Sequence, residues 1–118
     1  MKTKINTAII LVGGAGLRMR PLTEDMPKCM IPLHGKPLLY WTLIWLKKYD
    51  FQNIILGVAY RKEMIMDYIK KNPLGININF SEHTIEGGTA EGFKLAIQRY
   101  INDENFLAMN GDLSLIHI

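Results

Sequence analysis

The chain has 118 residues, of which 48% are hydrophobic and 21% are charged, so it can bury one modest core as a single domain and is not a disordered chain. Its net charge is only +3 and its lysines and arginines are scattered, which argues against a nucleic-acid-binding face. Cys29 is the single cysteine, which excludes an internal disulfide, and no apolar segment is long enough to span a bilayer, so we expect a cytoplasmic protein without membrane contact.

The first predicted element is a buried strand over residues 7–12, a short apolar run that ends at Gly13. Residues 13–36 contain four glycines and three prolines, which exclude a helix and predict a long loop. Long ordered loops in compact domains are usually functional. A helix is predicted over residues 38–48, with Pro37 as its first residue.

The rest of the chain alternates between strands and helices. Residues 53–58 predict a second buried strand and residues 62–71 a second helix. Residues 76–80 alternate apolar and asparagine side chains, which is typical of a half-buried strand. A third helix is predicted over 89–100 and a fourth strand over 105–109. The apolar side of the third helix is expected to consist of Ala90, Phe93, Ala96 and Ile97.

This order predicts an α/β protein with three layers, α/β/α, around a mostly parallel sheet. Right-handed crossovers would bring the carboxyl ends of the strands to one edge, where open α/β sheets bind ligands. We expect three segments of the chain to meet at that edge: 13–28, 87–89 and 110–112.

The segment Gly13-Gly14-Ala15-Gly16 would let backbone N–H groups approach an anion, but alone it is weak evidence, with a connector that binds nothing as the alternative. A P-loop is excluded because no Gly-Lys-Ser/Thr triplet occurs. A dinucleotide-binding fingerprint is excluded because Met19 stands in the place of its last small residue. Arg18 and Lys28 follow as candidate phosphate ligands, with solvated side chains as the alternative.

The run Leu11-Val12-Gly13-Gly14-Ala15-Gly16-Leu17-Arg18-Met19-Arg20-Pro21-Leu22-Thr23, followed by Pro27-Lys28 and by Pro32-Leu33-x-Gly35-Lys36-Pro37, resembles the sugar-phosphate nucleotidylyltransferase family. That family includes mannose-1-phosphate guanylyltransferases and glucose-1-phosphate thymidylyltransferases. Gly87-Gly88-Thr89-Ala90 is similar to its second nucleotide-binding segment, and Asn110-Gly111-Asp112 to its metal-binding strand end. The resemblance covers residues 6–112 and implies a Rossmann-like nucleotidyltransferase fold.

The resemblance implies an enzyme that forms an NDP-sugar and pyrophosphate from an NTP and a sugar 1-phosphate. Arg18 and Lys28 would be the catalytic residues, and Asp112 would hold Mg²⁺, the one cofactor implied. The residues implied to bind the nucleotide are Leu11, Gly13, Gly14, Ala15, Gly16, Gly88 and Thr89.

Members of this family are about twice as long as this chain. We therefore interpret residues 1–112 as the N-terminal, nucleotide-binding part of a nucleotidyltransferase domain, truncated after about four strands. Residues 113–118 would be an atypical tail left by the truncation. We expect this part alone to be inactive and prone to aggregation, and a homo-oligomeric parent protein stays open.

Two other functions stay open at this point. A phosphocholine-type cytidylyltransferase shares the glycine loop, and a non-catalytic nucleotide-sensing regulatory subunit could share the fold. The presence of both Arg18 and Lys28 argues against the second.

The resemblance places Glu82 and His83 in the region from which relatives read the base edge. Ordinary surface or packing positions are expected for His34, Glu86, Glu91, Trp41 and Trp45.

Overall fold

The computed structural model describes residues 5–12, 26–101 and 105–111. Its strands are β1 (Thr7–Leu11), β2 (Pro32–Leu33), β3 (Lys36–Pro37), β4 (Asn53–Val58), β5 (Asn77–Glu82) and β6 (Leu107–Asn110). Its helices are α1 (Leu38–Lys48), α2 (Lys62–Lys71) and α3 (Gly88–Tyr100), and a short 3-10 turn spans Lys28–Met30. Within the described residues, no helix combines the length and the apolar character that a membrane span requires.

Four of the strands form one sheet in the order β5-β4-β1-β6, and every neighbouring pair in it is parallel. The central strand β1 is apolar at successive positions, and Ala8, Ile9 and Ile10 are fully buried. A continuous apolar run of this kind is typical of a parallel strand that is covered on both faces. The remaining two strands, β2 and β3, form a separate antiparallel hairpin.

Helices cover both faces of the sheet. On one face, Ala8 and Ile10 of β1 belong to a buried cluster with Leu43 of α1 and Ile65 of α2. On the other face, residues of β1 and β4 pack with Ala96 of α3. The three-layer α/β/α fold and the mostly parallel sheet predicted from the sequence are therefore confirmed.

The buried face of α3 differs from the predicted one. Phe93 and Ala96 do pack against the sheet, but Ala90 is exposed and Ile97 is 37% exposed. Gly92, which the apolar pattern omitted, is buried instead. The reason is close packing: a Cβ at Gly92 would lie only 3.0 Å from the Leu11 side chain, so a glycine lets the helix approach β1.

Several element boundaries also differ. β5 continues to Glu82, two residues beyond the predicted end, because Gly57 and Val58 of β4 supply partners for its last residues. Pro37 lies in β3 and caps α1 instead of forming its first residue. The predicted long loop contains the hairpin, whose turn is made by His34 and Gly35, both with positive φ.

The outer edge of β5 is covered by the last turn of α3. The guanidinium of Arg99 donates hydrogen bonds to the Ser81 hydroxyl (3.1 Å) and to the Glu82 carbonyl (2.7 Å), and the Tyr100 hydroxyl donates to the Phe80 carbonyl (2.9 Å). Backbone groups of alternate residues point to opposite sides of a strand, and His83 N–H points towards β4. The Phe80 and Glu82 carbonyls therefore face outward, and side chains satisfy them there.

We expect Leu43→Ala to lower the free energy of unfolding by about 2–5 kcal/mol, because it leaves a cavity between α1 and the sheet. Leu43 is fully buried, whereas Lys48 on the same helix is exposed. Lys48→Ala is therefore the control, with an expected change within about 0.5 kcal/mol. Chemical denaturation measures both, and equal effects would contradict the packing described above.

Candidate active site

The carboxyl end of β1 lies between the ends of two neighbouring strands. Val12 N–H donates to the Gly57 carbonyl of β4 at 2.9 Å, and the Leu11 carbonyl accepts from Gly111 N–H, just after β6, at 2.9 Å. A Cβ at Gly111 would lie 2.8 Å from a methyl group of Val12, so only glycine allows this approach. Val12, which directly precedes the glycine-rich segment in the sequence, therefore lies next to residue 111.

This position is also the point at which the order of the strands reverses. The chain moves outward from β1 to β4 and β5, and then crosses to β6 on the other side of β1. In open α/β sheets, ligands bind in the crevice outside the carboxyl ends of the strands at such a reversal. The topology therefore places a candidate ligand crevice between the ends of β1 and β6.

Several predicted site residues lie outside the described residues, namely Gly13, Gly14, Ala15, Gly16, Arg18 and Asp112, and their roles stay predictions. Leu11 is described and buried, with its side chain close to Gly57 and Gly92. Gly88 and Thr89 are exposed and form the start of α3. Among the described residues, no three His, Cys, Asp or Glu side chains converge as a metal site would require.

The backbone around Lys28 is held by its neighbours. Pro27 and Cys29, on either side of it, are buried, while Lys28 itself is partly exposed. Met30 N–H donates to the Pro27 carbonyl at 3.0 Å, and Ile31 N–H to the Lys28 carbonyl at 3.2 Å. Lys28 is therefore attached to a short turn whose neighbouring side chains, Pro27 and Cys29, are buried.

Cys29 serves packing and not chemistry. Its side chain belongs to the same buried cluster as residues of α1 and β4. Burial raises the pKa of the thiol to about 12, so the reactive thiolate is nearly absent at neutral pH.

The loop between β5 and α3 is closed by a side chain that the sequence interpretation placed on the surface without a role. A carboxylate oxygen of Glu91 accepts hydrogen bonds from Thr84 N–H (2.9 Å) and from the Thr84 hydroxyl (3.0 Å). The Thr84 hydroxyl also accepts a hydrogen bond from Gly87 N–H at 3.0 Å. The surface interpretation of Glu91 is therefore incomplete, because this side chain shapes the segment that contains Gly88.

His83 is the second residue at this edge whose environment the sequence did not predict. Its N–H donates to the Val58 carbonyl at 3.0 Å, and its ring lies against Gly57 and Gly92. The Nδ1 atom is buried and has no hydrogen-bond partner among the described residues. The available sequence signal was Gly57 inside a strand and Gly92 inside a helix, since glycines in such positions often mark a place where another group packs closely against the backbone.

The side chain of Glu82 is engaged elsewhere. Its carboxylate forms an exposed ion pair with Lys62 of α2, and the Lys62 hydrogen bond is the main cause that holds the pKa of Glu82 below its usual range. Of the two neighbours, His83 therefore faces Leu11 and α3, whereas the Glu82 carboxylate contacts α2.

A family model and several known proteins match most of this chain. The family model described as nucleotidyl transferase matches residues 7–117. The D-glycero-alpha-D-manno-heptose 1-phosphate guanylyltransferase of Aneurinibacillus thermoaerophilus is 38% identical over 105 residues, covering 89% of this chain and 45% of that enzyme.

Two solved structures share the fold. HddC from Yersinia pseudotuberculosis, complexed with GMP-PN, superposes with a TM-score of 0.82 at 34% identity, over 92% of this chain and 48% of HddC. The inositol-1-phosphate CTP transferase from T. maritima superposes with a TM-score of 0.82 at 28% identity, over 95% of this chain and 45% of that protein. The chain thus spans less than half the length of each of these three proteins.

We expect Cys29 in the folded chain to react with iodoacetamide far more slowly than in denaturant, since it is 2% exposed and its pKa is raised from 9.0 to about 12. The unfolded thiol ionises near pH 9 while the folded one stays protonated. Stability is therefore lost as the pH rises from about 9 to 12, by up to about 1.4 kcal/mol per unit.

The Cys29→Ala variant is the control for this pH dependence, because it keeps every lysine and tyrosine that titrates in the same range. The difference in unfolding free energy between the two chains isolates the thiol. A difference that does not change between pH 8 and pH 10.5 would contradict the burial of an uncharged thiol.

Proposed function

Because the chain belongs to the nucleotidyl transferase family, we propose that its protein transfers a nucleotidyl group from an NTP to a sugar 1-phosphate, releasing pyrophosphate and forming an NDP-sugar. The observation that carries the proposal is the crevice at the end of β1, where Val12 and Gly111 lie side by side. Open α/β sheets bind ligands at such a crevice, and the glycine-rich segment follows Val12 directly in the sequence. A heptose 1-phosphate guanylyltransferase and a complex with GMP-PN among the similar proteins support the same chemistry.

The reaction requires positioning and charge neutralisation more than covalent chemistry. An oxygen of the sugar phosphate attacks the α-phosphorus in line, and the bond from the α-phosphorus to the bridging oxygen of pyrophosphate breaks. The backbone N–H groups of residues 13–16 would bind the triphosphate. Arg18 would stabilise the charge that develops on the departing pyrophosphate, with its planar fork against two oxygens.

Lys28 is proposed as the second catalytic cation, in contact with phosphate oxygens near the reacting centre. The buried neighbours Pro27 and Cys29 support this role, since they hold the backbone before any ligand binds. A charge that is already in position stabilises the transition state without a cost for ordering it during the reaction. Such preorganisation is the main source of electrostatic stabilisation in enzymes.

Asp112 is proposed to hold Mg²⁺. Its chemistry fits, because Mg²⁺ prefers one or two carboxylates together with phosphate oxygens and water. The residue that precedes it in the sequence, Gly111, donates a hydrogen bond to the Leu11 carbonyl at the end of β1, which supports the assignment. When bound, Mg²⁺ would neutralise phosphate charge.

The nucleoside is proposed to lie along the start of α3. Gly88 and Thr89 are exposed there, and the ring of His83 lies against Gly92 of the same helix. We also propose a cytoplasmic location, which the unpaired and buried Cys29 supports.

A second candidate is cytidylyl transfer to an alcohol phosphate, of which phosphocholine transfer is one example. The observation in its favour is the similarity to an inositol-1-phosphate CTP transferase over 95% of this chain. The residues proposed here to bind phosphate would serve either acceptor, so they do not distinguish the two candidates. A third candidate is a nucleotide-sensing subunit without catalytic activity, which would release no pyrophosphate in the assay described below.

We expect Lys28→Ala and Arg18→Ala, made in the full-length protein, each to lower turnover at least about a hundredfold, as found when a preorganised charge-stabilising donor is removed. Pyrophosphate release measures this, with GTP, UTP, CTP and dTTP against a panel of sugar 1-phosphates, inositol 1-phosphate and phosphocholine.

Lys48→Ala, which removes an exposed lysine at the end of α1, is the matched control and should leave turnover unchanged. If Lys28→Ala or Arg18→Ala turned over at a rate close to that of the wild-type protein, the role assigned to that residue would be refuted. Release with CTP and an alcohol phosphate alone would favour the second candidate.

We expect Asp112→Asn to raise the Mg²⁺ concentration for half-maximal turnover by at least about tenfold, since even changes beside metal ligands have effects of that size. Titration of Mg²⁺ after removal of metal with EDTA measures the shift. Asp67→Asn, an exposed carboxylate on α2, serves as control. An unchanged Mg²⁺ dependence in Asp112→Asn would contradict the metal assignment.

A further inference from the structure

The loop before α3 is tied together by one carboxylate, in an arrangement we call the Glu91 clamp, formed by Glu91, Thr84 and Gly87. Glu91 lies in the first turn of α3 and reaches back seven residues to Thr84. One of its oxygens accepts from both the N–H and the hydroxyl of Thr84, and the other oxygen lies 3.2 Å from the same hydroxyl. Both ends of the loop are thereby joined.

The Thr84 hydroxyl extends the clamp to the middle of the loop. It donates to the Glu91 carboxylate and accepts from Gly87 N–H at 3.0 Å, so one hydroxyl links that carboxylate to the backbone of Gly87. Gly88 N–H donates to the Ile85 carbonyl at 3.2 Å, which closes the turn between them. Hydrogen bonds to a charged acceptor are stronger than those between neutral groups, so the carboxylate is the principal member.

The two glycines at the start of α3 are needed for different reasons. Gly88 has a φ of +66°, in the left-handed region that glycine adopts most readily. At Gly87 the constraint is space, because a Cβ there would overlap the side chain of Glu91. The Glu91 side chain therefore passes directly over Gly87, and the loop conformation and the clamp depend on each other.

We propose that Glu91 is a positioning residue: its clamp presets the loop that presents Gly88 and Thr89 to the nucleoside part of the NTP. This inference rests on the nucleotide-binding function proposed above. An ordered loop binds its ligand without the entropic cost of fixing a flexible one, so the clamp acts on nucleotide affinity and not on the chemical step.

The charge state of the clamp agrees with this role. The hydrogen bonds from Thr84 are the largest cause that lowers the pKa of Glu91, and the charge of Arg99 lowers it further. The carboxylate therefore stays ionised at neutral pH, and the clamp is lost only when the pH falls below the usual range for glutamate.

A competing explanation is that an acidic residue in the first turn merely favours the helix dipole. Two variants separate the explanations. Glu91→Gln keeps an oxygen acceptor at full reach but loses the charge, whereas Glu91→Asp keeps the charge but is one methylene too short. The clamp predicts that Gln preserves function better than Asp, and the dipole effect predicts the reverse.

The test uses the full-length protein with the nucleotide that supports turnover in the panel. We expect Glu91→Ala to raise KM for that NTP roughly tenfold or more while kcat changes less than about threefold. Hydrogen exchange of the Thr84 and Gly87 amides should accelerate in the same variant. Glu91→Gln should recover part of both effects, and Glu86→Gln, an exposed carboxylate of the same loop, should match the wild-type protein.

Wild-type KM or wild-type amide protection in Glu91→Ala would overturn the proposal, and so would better function of Asp than of Gln. If the wild-type protein turns over none of the nucleotides, the proposed function fails separately. Nucleotide binding, measured by calorimetry with the same four NTPs, then decides the clamp. Unchanged affinity in Glu91→Ala would overturn it, and weakened affinity together with faster exchange of the two amides would support it.

Discussion

The structure depends on one strand that is buried on both faces and hydrogen-bonded along both edges. β1 directs the backbone of alternate residues to β4 and to β6, as Val12 and Leu11 show at its end. Its side chains enter both apolar clusters. The position of Val12, after which the glycine-rich segment follows in the sequence, is therefore set by core packing. In a family whose chemistry consists of holding phosphates in place, that constraint precedes every contact with a ligand.

Much of the fold could be predicted because the core segments are locally unambiguous. β1 and β4 are apolar runs with clear ends, and the glycine motif was specific enough to identify the family that the comparisons then confirmed. The polar end of β5 was missed because Ser81 and Glu82 become strand only by pairing with β4. Glu91 was missed because, on a helix, an acidic residue in the first turn has the same pattern whether it is solvated or hydrogen-bonded to a distant loop.

The two described parts of the candidate site are held by different forces. The turn around Lys28 is fixed by apolar side chains inserted in the core, with Cys29 as one of them. The start of α3 is fixed at the surface by hydrogen bonds to a charged carboxylate. Salt screens the interactions of a solvent-exposed charged network, whereas apolar burial involves no charges to screen. The turn around Lys28, proposed to contact phosphate, is therefore the less salt-sensitive of the two parts, and the start of α3, proposed to contact the nucleoside, is the part that salt weakens.

The covered edge of β5 has a consequence for how the sheet can grow. Arg99 and Tyr100 occupy the outward carbonyls of that strand, so another strand cannot pair there without first displacing them. At the other end of the described sheet, β6 pairs only on its β1 side within the strand order. A further strand, from the same polypeptide or from a second molecule, would therefore add to the sheet beside β6. That edge is opposite the one covered by the last turn of α3.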